Sequence, residues 1–172
     1  MTTVLVTGPI GGGKSTACRY LAAQGWPVYD CDSRCKALYG KVPGLRERIE
    51  SELGIPFSDL GRIFSDIALR QKLESIVYPL LLDDIRSWKA GLDSPLAFIE
   101  SAVALQKPLF DGTYDRVLLV TAPARVRELR NPAAAVRGKL QRFPRSRVER
   151  TIRNNSTPES LFLKLDKYLK TI

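Results

Sequence analysis

Residues Gly8-Pro9-Ile10-Gly11-Gly12-Gly13-Lys14-Ser15 spell G-x-x-x-x-G-K-S. This pattern constrains the chain more than any other, because it demands a strand before it, a helix after it and an anion between them. The apolar run at 4–7 supplies the strand, and residues 15–24 read as the helix. Glycines let successive backbone N–H groups converge on one phosphate, and the helix N-terminus adds the positive end of its dipole. Lys14 is placed to reach the β- and γ-phosphates, and the Ser15 hydroxyl to ligate Mg²⁺. Gly8 to Ser15, with Thr16 beside them, are therefore the candidate ATP-binding set.

Two features of composition narrow the chemistry. The 172 residues contain no histidine. A general base must then be a carboxylate, and histidine-dependent triads and metal sites are excluded. The net charge of +9 is also concentrated. Residues 125–153 hold nine arginines and one lysine against Glu128 and Glu149, a local +8. One basic segment on a phosphate-binding protein reads as a phosphate-facing lid. Its lack of interleaved aromatics, Phe143 apart, argues against a nucleic-acid stacking platform. No apolar run approaches the roughly 20 residues of a membrane span. The N-terminus lacks the basic region of a signal peptide. Cys18, Cys31 and Cys35 are odd in number and lack zinc spacing, so they read as reduced thiols of a cytoplasmic protein, Cys18 as a small core residue.

Strand-like runs fall at 4–7, 28–30, 96–100 and 117–121, with a weaker one at 148–153. Helical patterns separate them, which predicts a parallel sheet covered by helices. Right-handed crossovers put the loops after the strand C-termini on one edge, where the ligand belongs. Residues 33–88 read as mostly helical, with breaks at Gly40, Pro43-Gly44 and Gly54-Ile55-Pro56, and with Pro79 kinking or restarting a helix. This stretch is long for a crossover and reads as one wall of a substrate cleft. Thr157-Pro158-Glu159 reads as an N-cap followed by Pro at the first helical position.

Asp30 and Asp32 close the second strand-like run. One of these two carboxylates is expected to face the cleft and the other to cap the next helix. A carboxylate there can orient or deprotonate an acceptor hydroxyl. Glu100 ends the third run and is a candidate for the Mg²⁺ shell. Arg127, Arg130 and Arg137 are candidates to stabilise charge on a transferring phosphoryl group, and Arg62 is a candidate anion binder on the far wall.

These residues resemble the dephospho-CoA kinase family. The resemblance is carried by Val6-Thr7-Gly8 through Thr16, by Gly25-Trp26-Pro27-Val28-Tyr29-Asp30-Cys31-Asp32, by Arg62-Ile63-Phe64-Ser65-Asp66, and by Leu73-Glu74-Ser75-Ile76-Val77-Tyr78-Pro79. Gln141 stands where the family has a glutamine after its lid, and Asn154-Asn155-Ser156 resembles its turn near the adenine site. The similarity is collinear over nearly the whole chain. It implies an α/β fold of the P-loop NTPase type: three layers, α/β/α, with a five-stranded parallel sheet, a helical substrate-binding insertion and a short lid. It implies a single kinase domain over 1–172, with a core at 1–35, 96–123 and 148–172, a helical substrate subdomain at 36–95 and an arginine-rich lid at 124–147. It implies ATP-dependent, Mg²⁺-dependent phosphorylation of the ribose 3′-hydroxyl of dephospho-CoA. By position, Asp32 becomes the acceptor-hydroxyl base, Lys14 and Arg130 its catalytic partners, Arg127 and Asn154 ATP-side residues, and Asp30, Arg62 and Tyr78 substrate-side residues.

The chain departs from the family at four places. Tyr78 stands where histidine is usual. Ala102-Val103-Ala104-Leu105-Gln106 replaces a Pro-Leu-Leu-x-Glu segment, and the stretches between Asp32 and Arg62 and around Asn131-Pro132 are short. Nucleotide binding is thus carried by more residues than the acceptor. A kinase of another small hydroxyl compound, such as a nucleoside or nucleotide, and a nucleotide-binding regulator without turnover are the alternative readings.

Overall fold

A computed structural model describes residues 1–137 and 141–172. Residues 138–140, part of the expected lid, and the side chain of Arg137 lie outside the described residues. The chain divides into two compact units, Met1–Asp30 with Leu92–Ile172, and Cys31–Gly91.

The first unit is built on five parallel strands: β1 (Thr2–Thr7), β2 (Val28–Asp30), β3 (Leu96–Glu100), β4 (Arg116–Thr121) and β5 (Arg150–Arg153). Their order is β2-β3-β1-β4-β5. Val4, Leu5 and Val6 of the central strand are all fully buried. A strand covered on both faces carries such a continuous apolar run. Helices α1 (Lys14–Ala23) and α7 (Pro158–Leu169) cover one face, where Val4, Val6, Leu21, Phe98, Leu118, Leu161 and Leu165 form the core. Truncating one of these leucines to alanine costs about 2–5 kcal/mol. Strand β5 sits at the sheet edge, and its burial explains why it is weak in sequence: Ile152 is buried while Arg150, Thr151 and Arg153 are exposed. Helix α7 starts on the Thr157 cap, whose hydroxyl accepts from the Ser160 N–H at 3.4 Å, with Pro158 at its first position. Among the described residues no helix is long and apolar enough to cross a membrane, and the three cysteines are free thiols.

The second unit is helical: α2 (Cys31–Lys41), α3 (Leu45–Leu53), a 3-10 turn at Phe57–Phe64, and α4 (Ile67–Ala90). Helix α4 packs against α2 and α3. The Arg34 guanidinium forks onto Asp84, Nε to Oδ2 at 2.7 Å and Nη2 to Oδ1 at 2.8 Å, and so ties α2 to α4. Asp66 caps α4 by accepting from the Leu69 N–H at 3.0 Å. The expectations for this region need two corrections. Gly40 does not break a helix, because α2 runs through it to Lys41. Pro79 does not restart a helix; the 24-residue α4 runs through it. Buried Ile76, Val77, Leu81 and Leu82 flank the proline on both sides, and their burial outweighs one missing backbone hydrogen bond.

The remaining helices, α5 (Ala124–Arg130) and the short α6 (Ala134–Arg137), follow β4. They occupy the start of the arginine-rich segment, on the same sheet edge as the loop after β1.

Candidate active site

The loop between β1 and α1 is shaped by what stands behind it. Gly8 has φ +149°, and a Cβ there would lie 2.0 Å from the carbonyl oxygen of Val120 in β4. Gly13 has φ +102°, and a Cβ there would lie 2.0 Å from Nδ2 of Asn154. Only glycine fits either position. The loop closes on itself through the Gly12 N–H, which donates to the Pro9 carbonyl at 3.0 Å. Lys14 donates Nζ to the same carbonyl at 3.3 Å. Lys14, Ser15 and Thr16 form the first turn of α1, which brings the positive end of the helix dipole to the loop.

Three partners come from far along the chain. Asn154 is buried, donates Nδ2 to the Gly12 carbonyl at 3.2 Å, and donates its own N–H to Thr121 at 2.7 Å. Arg130 places Nη1 3.4 Å from the Gly11 carbonyl and 3.1 Å from that of Asn154. Gln141 turns Oε1 onto the Ile10 N–H at 2.9 Å. An N–H of the anion cradle is therefore engaged by a side-chain amide. Arg127 donates Nε to the Ala122 carbonyl at 3.0 Å, and its backbone backs Gly11.

The acidic side of the site is formed at the ends of β2 and β3. The parallel register sets Asp30 beside Glu100, and Val6 on the other side of Glu100. Ser15 donates its hydroxyl to Glu100 Oε1 at 2.7 Å. Burial pushes the Glu100 carboxyl above its ordinary range and the Asp30 charge adds to this; the Ser15 hydroxyl, Lys14 and Cys18 act in the opposite direction. Hard oxygen donors on a half-buried carboxylate and a hydroxyl suit a small divalent cation that keeps waters and phosphate oxygens in its shell. Among the described residues no cluster of three or more carboxylate or cysteine side chains offers a complete protein-made metal site. The donor set therefore fits an ion shared with a phosphate.

Sequence reasoning missed Cys18 here. It is buried like a core residue, yet its thiol also bonds Glu100, and burial followed by that carboxylate pushes it well above its ordinary range. The available signal is spacing: residues 15 and 18 share one helix face.

The remaining expected residues lie in the helical unit. Asp32 does not close the strand, since β2 ends at Asp30; Asp32 is exposed in the first turn of α2. A carboxylate there is favourable at the positive end of the helix dipole. Tyr78 is half-buried on α4; burial, then the neighbouring Glu74 that its hydroxyl contacts, holds it well above the ordinary phenol range. Arg62 is exposed in the 3-10 turn. In the first unit, the departing segment after β3 folds as a 3-10 turn at Ala104–Gln106, with Ala104 and Leu105 buried.

No family model matches the chain. A dephospho-CoA kinase of Porphyromonas gingivalis is 34% identical over 139 residues, covering 76% of this chain and 68% of that protein. A dephospho-CoA kinase of Frankia casuarinae is 34% identical over 168 residues, covering 91% and 70%. Among solved structures, a Thermus thermophilus protein superposes with a TM-score of 0.80 at 28% identity, covering 99% of this chain and 97% of that one. A shikimate kinase of Acinetobacter baumannii shares the fold alone, with a TM-score of 0.55 at 14% identity over 99% of this chain and 94% of that one. A glycine loop braced from β4 and β5, with a serine and a carboxylate at its mouth, is thus carried by a chain that belongs to the dephospho-CoA kinase family.

Proposed function

We propose that this protein transfers the γ-phosphoryl group of ATP to the ribose 3′-hydroxyl of dephospho-CoA. The observation that carries this reading is the phosphate cradle joined to the Ser15–Glu100 pair in a chain of this family. N–H groups of Gly11 to Ser15 and the Lys14 ammonium hold the β- and γ-phosphates. Ser15 and Glu100 hold the cation, proposed as Mg²⁺, which when bound neutralises phosphate charge. The acceptor oxygen attacks the γ-phosphorus, the bond to the β–γ bridging oxygen breaks, and ADP leaves. Asp32 takes the hydroxyl proton; with no histidine in the chain, a carboxylate must do this. Arg130, already at the loop carbonyls, turns its remaining N–H groups to the transferring oxygens, with Arg127 beside it. Gln141 is displaced from the Ile10 N–H or shares it when phosphate enters. Asn154 holds the loop from beneath, near the turn that receives the adenine. Asp30, Arg62 and Tyr78 serve the acceptor side.

Incubation of the protein with Mg-ATP and dephospho-CoA, with chromatographic detection of coenzyme A, tests the reading. The expected result is coenzyme A and ADP in equal amounts, and transfer lost in Asp32→Asn with ATP affinity within about threefold of the parent. No coenzyme A from protein that binds ATP overturns the acceptor assignment. A collapse of ATP affinity in Asp32→Asn overturns the role given to Asp32.

A further inference from the structure

Away from the phosphate loop, the outer edge of the sheet carries a groove of about 800 Å³ between β5, α7 and the turn before β5. That volume is ordinary for a small-ligand site. Arg145, Arg150, Arg153, Lys164 and Lys167 line it, and no carboxylate does. The nearby acids are engaged elsewhere. Glu149 pairs with Arg116 at 3.0 Å, and Asp166 accepts from the Tyr20 hydroxyl at 2.7 Å. Glu159 stands at the N-terminal turn of α7 with the Thr157 cap. Lys164 spends one donor on the Arg153 carbonyl at 2.7 Å and keeps two. Among the described residues, none of the three groove arginines is paired with a carboxylate. Five cations collected around one cavity repel each other, and an anion in the cavity relieves that repulsion.

A second observation is independent of charge. Tyr168 also lines the groove, is 2% exposed, and its phenol oxygen has no hydrogen-bond partner among the described residues. A buried phenol donor normally has an acceptor, and an oxygen-rich anion is an acceptor.

We infer that the β5–α7 groove is a second anion site, separate from the phosphate loop, and that it binds a compact oligophosphate. Arginine forks and lysine ammoniums match phosphate oxygens. Among the described residues Phe143 is the one partly exposed aromatic of the lining, so the groove lacks the row of stacking rings that a nucleic-acid strand needs. The inference is independent of the acceptor proposed above.

Calorimetric titration of the full chain with inorganic tripolyphosphate tests it. Lys14→Ala is used as the background so that the phosphate loop is weakened. One tripolyphosphate per chain is expected in this background, and the added pair Arg150→Gln/Lys167→Gln should weaken it at least tenfold with an unchanged melting temperature. Tyr168→Phe should weaken it by a smaller factor. ATP binding the same background more tightly than tripolyphosphate supports the site and identifies a nucleoside polyphosphate as its source; equal affinities support it with the free oligophosphate as source. Absence of binding in the Lys14→Ala background overturns the inference. So does an affinity unmoved by the double change. Preferential binding of a twelve-residue single-stranded DNA over tripolyphosphate overturns it in favour of a nucleic-acid surface.

Discussion

The Asn154 amide lies beneath Gly13 and donates to the Gly12 carbonyl at 3.2 Å, joining the end of β5 to a loop 142 residues earlier in the chain. This places a wedge under the phosphate cradle. Asn154→Ala removes the hydrogen bond, leaves the Arg130 contact to the backbone carbonyl in place, and opens space below the loop. The expected cost is about 1–2 kcal/mol of stability. ATP binding should weaken about tenfold, with a smaller change in turnover once ATP saturates. Chemical denaturation and ATP titration measure both; a stability loss without weaker ATP binding removes the bracing role.

Gly8 has no room for a side chain. A Cβ would meet the Val120 carbonyl at 2.0 Å, and strand backbone at a fully buried residue cannot swing aside as a long side chain does. Gly8→Ala should therefore cost at least about 3 kcal/mol and abolish nucleotide binding. A protein that melts normally and binds ATP would contradict the geometry of the loop root.

Ser15 and Glu100 should act on the cation together. Glu100→Gln and Ser15→Ala should each raise the Mg²⁺ concentration for half-maximal ATP binding by about tenfold, and the double change should cost less than the sum of the two. A fluorescent ATP analogue titrated at several Mg²⁺ concentrations reads this directly. Strict additivity would show that the pair does not share one ligand.

Alkaline stability should carry the signature of Tyr168. Burial, followed by the charge of Glu149, pushes its phenol up to about 12, while an unfolded phenol ionises near about 10. Between those values the unfolded chain binds fewer protons, so stability is fully present below pH about 10 and falls as pH rises to about 12. Tyr168→Phe should flatten that limb, leaving the share of the other raised tyrosines. Urea unfolding of both proteins across this window gives the comparison, and identical slopes would refute it.

What is legible in sequence here is local. Glycines, a helix start and one lysine specify the phosphate loop within eight residues, because φ preference and the helix dipole act over a single turn. Strands β1 and β3 announce themselves because burial on both faces makes them almost continuously apolar. Strand β5 is faint because only Ile152 points inward. Pro79 does not restart a helix, although local geometry permits it, because buried side chains on both sides keep α4 whole. Cys18 looks like packing until Glu100 is set beside it.

The sequence by itself determined the parallel α/β architecture and the phosphate-loop pattern, and its lack of histidine removes that side chain from any proposed base. Tertiary structure decided which distant residues serve the loop: Asn154 below it, Gln141 on the Ile10 N–H, and Glu100 on Ser15. It also decided that scattered cations of β5 and α7 share one groove. The physical reason is range. Backbone preferences act between neighbours in the chain, whereas these pairings depend on strand order and register, which hydrophobic burial sets for the sheet as a whole.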